Sequence, residues 1–287
     1  MTQVAQVSAG RRRRLRRERT GTALRMITAT IVGLIFFAPI YWMAMTAFKS
    51  GNEAFTAIPS FFVEPNLDSF YQVFDRSSFG LALGTSMFVS VTSTIVCLVL
   101  AAGISYPLAR LNVRGQQHIA TWILSLKIIP PIVVIIPLFI LLRSVGLTGT
   151  TGSLVVMYTY MNLPLAVWLL RGFFQDMPKE IEEASFVDGA SRLRTFFAIT
   201  LPLVLPGLIA TGLLCFIFSW NEFLFANILT GANTRTAPVS LTEYVTPVSI
   251  EWNKIMAAGT LVVLPVWIVA LAVQRYLVRG LTLGAVK

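Results

Sequence analysis

The sequence predicts an all-α membrane protein with six transmembrane helices and a distinctive cytoplasmic loop between the fourth and fifth. Three observations carry that expectation. Of 287 residues, 55% are hydrophobic and only 13% charged, about half the charge fraction of an ordinary soluble domain. Apolar runs of bilayer-crossing length, about 20 residues, recur from residue 26 almost to the C-terminus. Each run is continuously apolar, whereas barrel strands alternate with period two over about ten residues. No stretch is left for a sizeable water-exposed domain, so soluble-enzyme functions are excluded first.

Residues 1–25 form a basic tail carrying Arg11, Arg12, Arg13, Arg14, Arg16, Arg17, Arg19 and Arg25. Such a cluster beside a span sets orientation and attracts anionic head groups, so membrane lipid, and no nucleic acid, is its expected partner. The first span, Met26 to Phe48, is longer than a signal-peptide core and lacks a small-residue cleavage site, so it is expected to stay as an anchor. The second runs from about Ser86 to Leu108 and the third from Ile119 to Leu142, interrupted by Lys127. The fourth covers Gly152 to Leu170, the fifth Leu205 to Ile228 and the sixth Ile255 to Val273. Prolines at 130, 131, 137, 164, 206 and 265 fall inside these runs. They mark either kinks that line a cavity or ordinary tolerance of proline in membrane helices.

Orientation follows from where Lys and Arg collect. With the N-terminus inside, the inner segments hold 17 of the 23 basic residues and the outer segments 5, Lys127 being the remaining one. Both termini are therefore expected in the cytoplasm. Cys97 and Cys215 lie within apolar runs and have no disulfide or metal-ligand spacing.

The inner loop at residues 171–202 differs from the other connections. It carries Asp176, Glu180, Glu182, Glu183 and Asp188, while the rest of the inner face offers only Glu18. Asp176 before Pro178 reads as a helix start and Gly189 as a stop. Between them Ile181, Ala184 and Val187 recur every three residues, giving a short helix with a narrow apolar face and an acidic opposite face. Such a helix either packs on the membrane surface or docks a cytoplasmic partner.

These residues also carry a resemblance. Glu183-Ala184-Ser185, then three residues, Gly189, nine residues and Ile199-Thr200-Leu201-Pro202 resembles the EAA loop of permeases in binding-protein-dependent ABC importers. Ser185 stands where the family usually has alanine. Ile136-Pro137-Leu138-Phe139, Ser219-Trp220-Asn221-Glu222-Phe223 and Val278-Arg279-Gly280-Leu281-Thr282 through Gly284-Ala285-Val286-Lys287 are similar to the MalG-like permeases of carbohydrate importers. The resemblance covers residues 26–287 and implies a six-helix transmembrane domain in a bacterial inner membrane. It implies a non-catalytic permease subunit forming half of a pathway for a sugar, oligosaccharide or sugar alcohol. The implied partners are a second homologous permease, a dimer of ATP-binding subunits and an extracytoplasmic solute-binding protein. On that likeness Glu183 contacts a basic residue of the ATPase, Ala184 and Ser185 pack on it beside Asp188, and Gly189 permits the sharp turn. The chain has no G-x-x-x-x-G-K-[ST] loop, so ATP and Mg are expected on the partner ATPase and no cofactor on this chain.

Within the membrane, Lys127 and Glu222 stand out, since a charge there faces a cavity or a partner or snorkels to the head groups. Sugar sites combine aromatic faces with amides and carboxylates. Tyr158, Asn162, Trp220, Asn221 and Glu222 have that character, as does Tyr160, although aromatics near span ends commonly anchor the interface and Glu222 can equally fix a neighbouring helix. His118, at an inner span edge, has no catalytic or metal-binding company. The competing class, an ion-coupled carrier or channel, usually needs several mid-membrane carboxylates, and Glu222 is nearly alone.

Overall fold

The structure is a computed structural model that describes residues 2–50, 65–75, 78–247 and 249–283. Residues 51–64 between the first two spans, the side chains of the Arg11–Arg19 cluster and the last four residues of the C-terminal motif lie outside the described residues. The described chain is helical, with one isolated antiparallel bridge between Val245 and Ile250. It divides into two compact units.

The first unit holds residues 1–70 and Trp252–Thr260. Helix α1, Thr2–Ala47, runs from the basic tail into the first span without a break. Its end is tied locally: Lys49 Nζ lies 4.9 Å from the centroid of the Trp42 ring, the Phe48 and Phe70 rings are 5.1 Å apart, and Asn66 N–H donates to Phe48 O at 3.2 Å. Asn66 Oδ1 accepts from Asp68 N–H at the start of α2, Asp68–Asp75. Asn253 donates to Ser69 Oγ at 3.0 Å.

The second unit contains α3 (Phe79–Arg110), α4 (Gln116–Ser125), α5 (Pro131–Ser144), α6 (Thr151–Asp176) and α7 (Lys179–Val187). It continues with α8 (Arg192–Thr195), a π-turn at Phe196–Thr200, α9 (Leu201–Leu203), α10 (Leu205–Trp220), α11 (Leu224–Leu229) and α12 (Ala237–Ser240). Helix α13, Trp252–Leu283, starts in the first unit and passes into the second at Leu261. The long pair α3 and α6 forms the centre, with α10 packed on both. Small residues of α3 are buried there, Ser86, Ser90, Ser93, Ala101, Ala102 and Ser105 among them. Small side chains let membrane helices approach closely where hydrophobic exclusion offers no gain.

Among the described residues, four helical stretches are long and apolar enough to cross a bilayer singly: Gly21–Ala47, Phe79–Arg110, Thr151–Asp176 and Trp252–Gln274. Two bent pairs bring the number to six, and at these two breaks the prolines mark bends, one of the two readings the sequence left open. Helices α4 and α5 meet at 92° and the segment Arg192–Leu203 meets α10 at 72°. The first break lies at Ile129-Pro130-Pro131. Ile129 and Pro130 are extended, with ψ of 121° and 131°, because a following proline clashes with helical geometry and supplies no N–H. Before Pro206, Val204 leaves the helical region (φ −90°, ψ 8°). The fifth span also stops at Trp220 instead of Ile228, and α11 starts after a three-residue turn.

Asp176 is a second correction. It is the last residue of α6 and not the cap of the loop helix. Met177 precedes Pro178 and is therefore extended (ψ 136°), so the chain turns there, with Pro178 itself just outside α7.

Candidate coupling site

Helix α7 is a nine-residue rod with sharp ends. Beyond it Gly189 has φ +80°, a left-handed conformation that costs a side-chain-bearing residue about 1–2 kcal/mol. Gly189 N–H bonds Phe186 O at 3.1 Å and Ala190 N–H bonds Ser185 O at 2.9 Å. That pair of bonds is the Schellman arrangement, which satisfies the last carbonyls and stops the helix. Ser191 then caps α8 by accepting from Arg194 N–H.

One face of α7 is buried in its own chain, through polar groups. Glu182 Oε1 accepts from the Thr200 hydroxyl at 2.7 Å, and Oε2 lies 3.5 Å from Arg110 Nε at the end of α3. Both side chains are nearly inaccessible, 8% and 3% exposed. Arg110 Nη2 also donates to Met177 O in the turn between α6 and α7. Ser185 Oγ donates to Glu182 O and shares a 2.8 Å hydrogen bond with Thr195. Nearby, Arg171 donates to Leu108 O at 3.2 Å and Gln117 Oε1 at 2.9 Å, tying α6 to the end of α3 and to α4. The rings of Tyr106, Phe174 and Phe196 pack around these polar groups, with centroids 4.7–6.3 Å apart.

The opposite face of α7 is open. Glu183, Ala184, Asp188 and Gly189 are exposed, and Val187 is 88% exposed. The apolar stripe Ile181, Ala184 and Val187 points outward, with Phe186 beside it. Ser185 differs from the expectation: it faces inward, because its hydroxyl is spent on Glu182 and Thr195. Four participants were not anticipated as a set, namely Glu182, Arg110, Thr195 and Thr200. The available signal was positional, since Glu182 and Ser185 are three residues apart and so share a helix face.

The candidates for the substrate pathway are placed differently. Tyr158 and Trp220 are each 1% exposed and Asn162 is 3% exposed. Asn162 Nδ2 donates to Ser219 Oγ at 3.0 Å, which itself accepts from Ser93, joining α6, α10 and α3. Trp220 Nε1 donates to Val262 O and its ring stacks on Phe216 at 5.7 Å. Asn221 is exposed and bonds back to Ile217 O. Glu222 spends both oxygens on α11, accepting from the amides of Phe225 at 3.0 Å and Ala226 at 3.1 Å. The structural alternative for Glu222 is thus the one its geometry displays. Glu222→Ala is expected to lower unfolding stability by about 1–2 kcal/mol through loss of that cap, read by thermal melting in mild detergent. An unchanged melting curve would remove the capping role.

Lys127 has a partner in its own chain. Its ammonium crosses to α6, donating to Met161 O at 3.0 Å and lying 5.4 Å from the centroid of the Phe218 ring. It borders a small open hollow of about 60 Å³, also lined by Pro131, Tyr160, Pro164 and Phe225. Among the described residues, no group of three or more His, Cys, Asp or Glu converges in a way that would hold a metal.

Residues 98–283 match the model of a protein family described as the inner membrane component of binding-protein-dependent transport systems. The chain belongs to this family. The matched region contains α7 and every residue of the polar cluster beneath it. The permease is 32% identical over 265 residues to the diacetylchitobiose uptake system permease protein DasC of Streptomyces coelicolor, covering 91% of this chain and 95% of that one. It is 31% identical over 277 residues to the trehalose/maltose transport system permease protein MalG of Thermococcus litoralis, covering 95% and 99%. Its fold is similar to that of a chain in the crystal structure of a bacterial ABC transporter involved in alginate import, with a TM-score of 0.73, 22% identity and coverage of 90% and 96%. The chain is therefore a multi-pass inner-membrane permease of a transport system.

Proposed function

We propose that this permease forms half of the translocation pathway of an ATP-driven importer for a carbohydrate, and that α7 is where a cytoplasmic ATP-binding subunit docks. The observation that carries the docking reading is the two-faced character of α7. A short helix held from below by buried polar bonds presents Glu183, Ala184 and Val187 to solvent. An exposed amphipathic helix on a fixed base suits a partner with an apolar cleft and a basic rim. The carbohydrate class is supported by the relatives whose names give sugars as their cargo.

On this reading ATP and Mg bind the ATP-binding dimer, a second homologous permease supplies the other half of the pathway, and an extracytoplasmic binding protein delivers the sugar. Both termini and α7 then lie on the cytoplasmic side, as the distribution of Lys and Arg requires. Ion-coupled transport is the weaker reading because the oxygens of Glu222 are occupied by backbone amides.

The test is to purify the tagged permease from its native membrane in mild detergent, as wild type and as Glu183→Ala. Wild type is expected to retain an ATP-binding subunit and a second permease. Glu183→Ala is expected to lose the ATP-binding subunit by about tenfold, as when a charged contact of 1.4 kcal/mol or more is removed, while remaining in the membrane. A wild-type chain that comes away alone or only as copies of itself would overturn the reading.

A further inference from the structure

We infer that the buried Glu182–Arg110 pair is a positioning latch that locks α7 to α3, so that movement delivered to α7 is passed to the transmembrane core as one rigid body. The inference rests on the proposed docking role of α7.

The covalent chain alone would not do this. Helix α7 is joined to α6 only through the extended Met177-Pro178 step and to α8 only through Gly189 and its neighbours. Two such turns permit a short helix to tilt under load. What opposes the tilt is a single carboxylate whose two oxygens are shared between different elements. Oε1 holds Thr200, at the end of the π-turn that leads through α9 to α10, and Oε2 faces Arg110, the last residue of α3. Arg110 in turn grips Met177 O, the carbonyl of the turn itself. The loop helix, its upstream turn, the end of α3 and the approach to α10 thus converge on two side chains.

Both charges are almost fully removed from water, which is a poor way to gain stability but makes the loss of either partner severe, since an unpaired buried charge remains. A packed polar junction of this kind has few alternative arrangements, so it transmits displacement and does not absorb it. The division of labour on α7 is then explicit. Glu183 meets the partner, and the adjacent Glu182, on the opposite face, holds the helix to its own chain.

The test places spin labels at Lys179→Cys on α7 and Leu81→Cys near the start of α3, both exposed in this chain. The native Cys97 and Cys215 are fully buried. The purified importer is measured without nucleotide and after trapping with MgATP and vanadate. In an otherwise wild-type chain the distance distribution is expected to be narrow and to shift by less than about 1 Å on trapping. With Glu182→Gln the distribution is expected to broaden about twofold without nucleotide and to shift by about 2 Å or more on trapping, the scale of helix displacements in switching proteins. Retention of the ATP-binding subunit is expected in both. A Glu182→Gln distribution as narrow and as stationary as wild type would overturn the latch, as would a wild-type distance that itself moves by 2 Å. If Glu182→Gln fails to reach the membrane, Arg110→Lys is read in the same way, since it keeps the charge but not the paired reach to Glu182 and Met177. The width is measurable in the permease alone, so absence of an ATP-binding subunit from wild type would count against the docking reading while the latch is still decided.

Discussion

Replacing Gly207 with alanine is expected to destabilise the permease by about 2–3 kcal/mol, and replacing it with valine to keep most of the protein from folding. A Cβ at this position would lie 2.3 Å from Cγ of Phe173 and within 2.7 Å of both adjacent ring carbons. Such distances require the phenyl ring or a helix backbone to move. The Phe173 ring is part of the packing around the buried cluster of Cys97, Leu170, Phe174 and Cys215, and cores packed this densely accept extra volume only with strain. The glycine therefore sets how closely α10 seats on α6, next to the bend that follows α8 and α9. Thermal or denaturant unfolding in mild detergent reads the loss. The double variant Gly207→Ala/Phe173→Ala is expected to recover part of it, because the smaller side chain vacates the space. If the alanine variant melted with wild type, the α6–α10 contact would be looser than the geometry requires.

That contact was not legible in the sequence, and the reason is general. The six apolar runs are local facts, visible in any window of about 20 residues, and the structure realises all six when each bent pair counts as one span. The two bends were half legible. Pro130-Pro131 and Pro206 were read as kinks or as tolerated prolines, and only the geometry shows turns of 92° and 72°. The loop helix was placed correctly at its Gly189 end, where a left-handed residue ends a helix by its own conformation. At its start the reading failed, because Asp176 and Pro178 look the same whether the aspartate caps α7 or finishes α6. The preference of Met177 for extended backbone before proline decides for α6. Contacts between distant residues were the least visible part. Arg110 reads as one more inner-face cation, and only the fold shows its guanidinium meeting Glu182, 72 positions further along.

Trp220→Ala is expected to cost about 3–5 kcal/mol, as truncation of a fully buried aromatic does. Trp220→Phe is expected to cost about 1 kcal/mol, roughly the net value of one hydrogen bond. The sequence placed Trp220 among residues able to meet a sugar, because its neighbours Asn221 and Glu222 supply an amide and a carboxylate. The structure shows how that ring is used. It is 1% exposed, stacks on Phe216 at 28°, and donates its indole N–H to Val262 O at 3.1 Å on α13. Tyr158 and Asn162 are buried as well, and Glu222 caps α11, so the cluster acts as the joint between α6, α10, α11 and α13. The two variants separate the possible roles. If Trp220 joins helices, the phenylalanine variant transports with unchanged KM while melting slightly earlier. If it contacts sugar, the same variant raises KM with little change in melting, because the apolar volume is largely kept while the face and N–H presented to a sugar are altered. The burial of the ring and its hydrogen bond to Val262 make the first outcome the expected one.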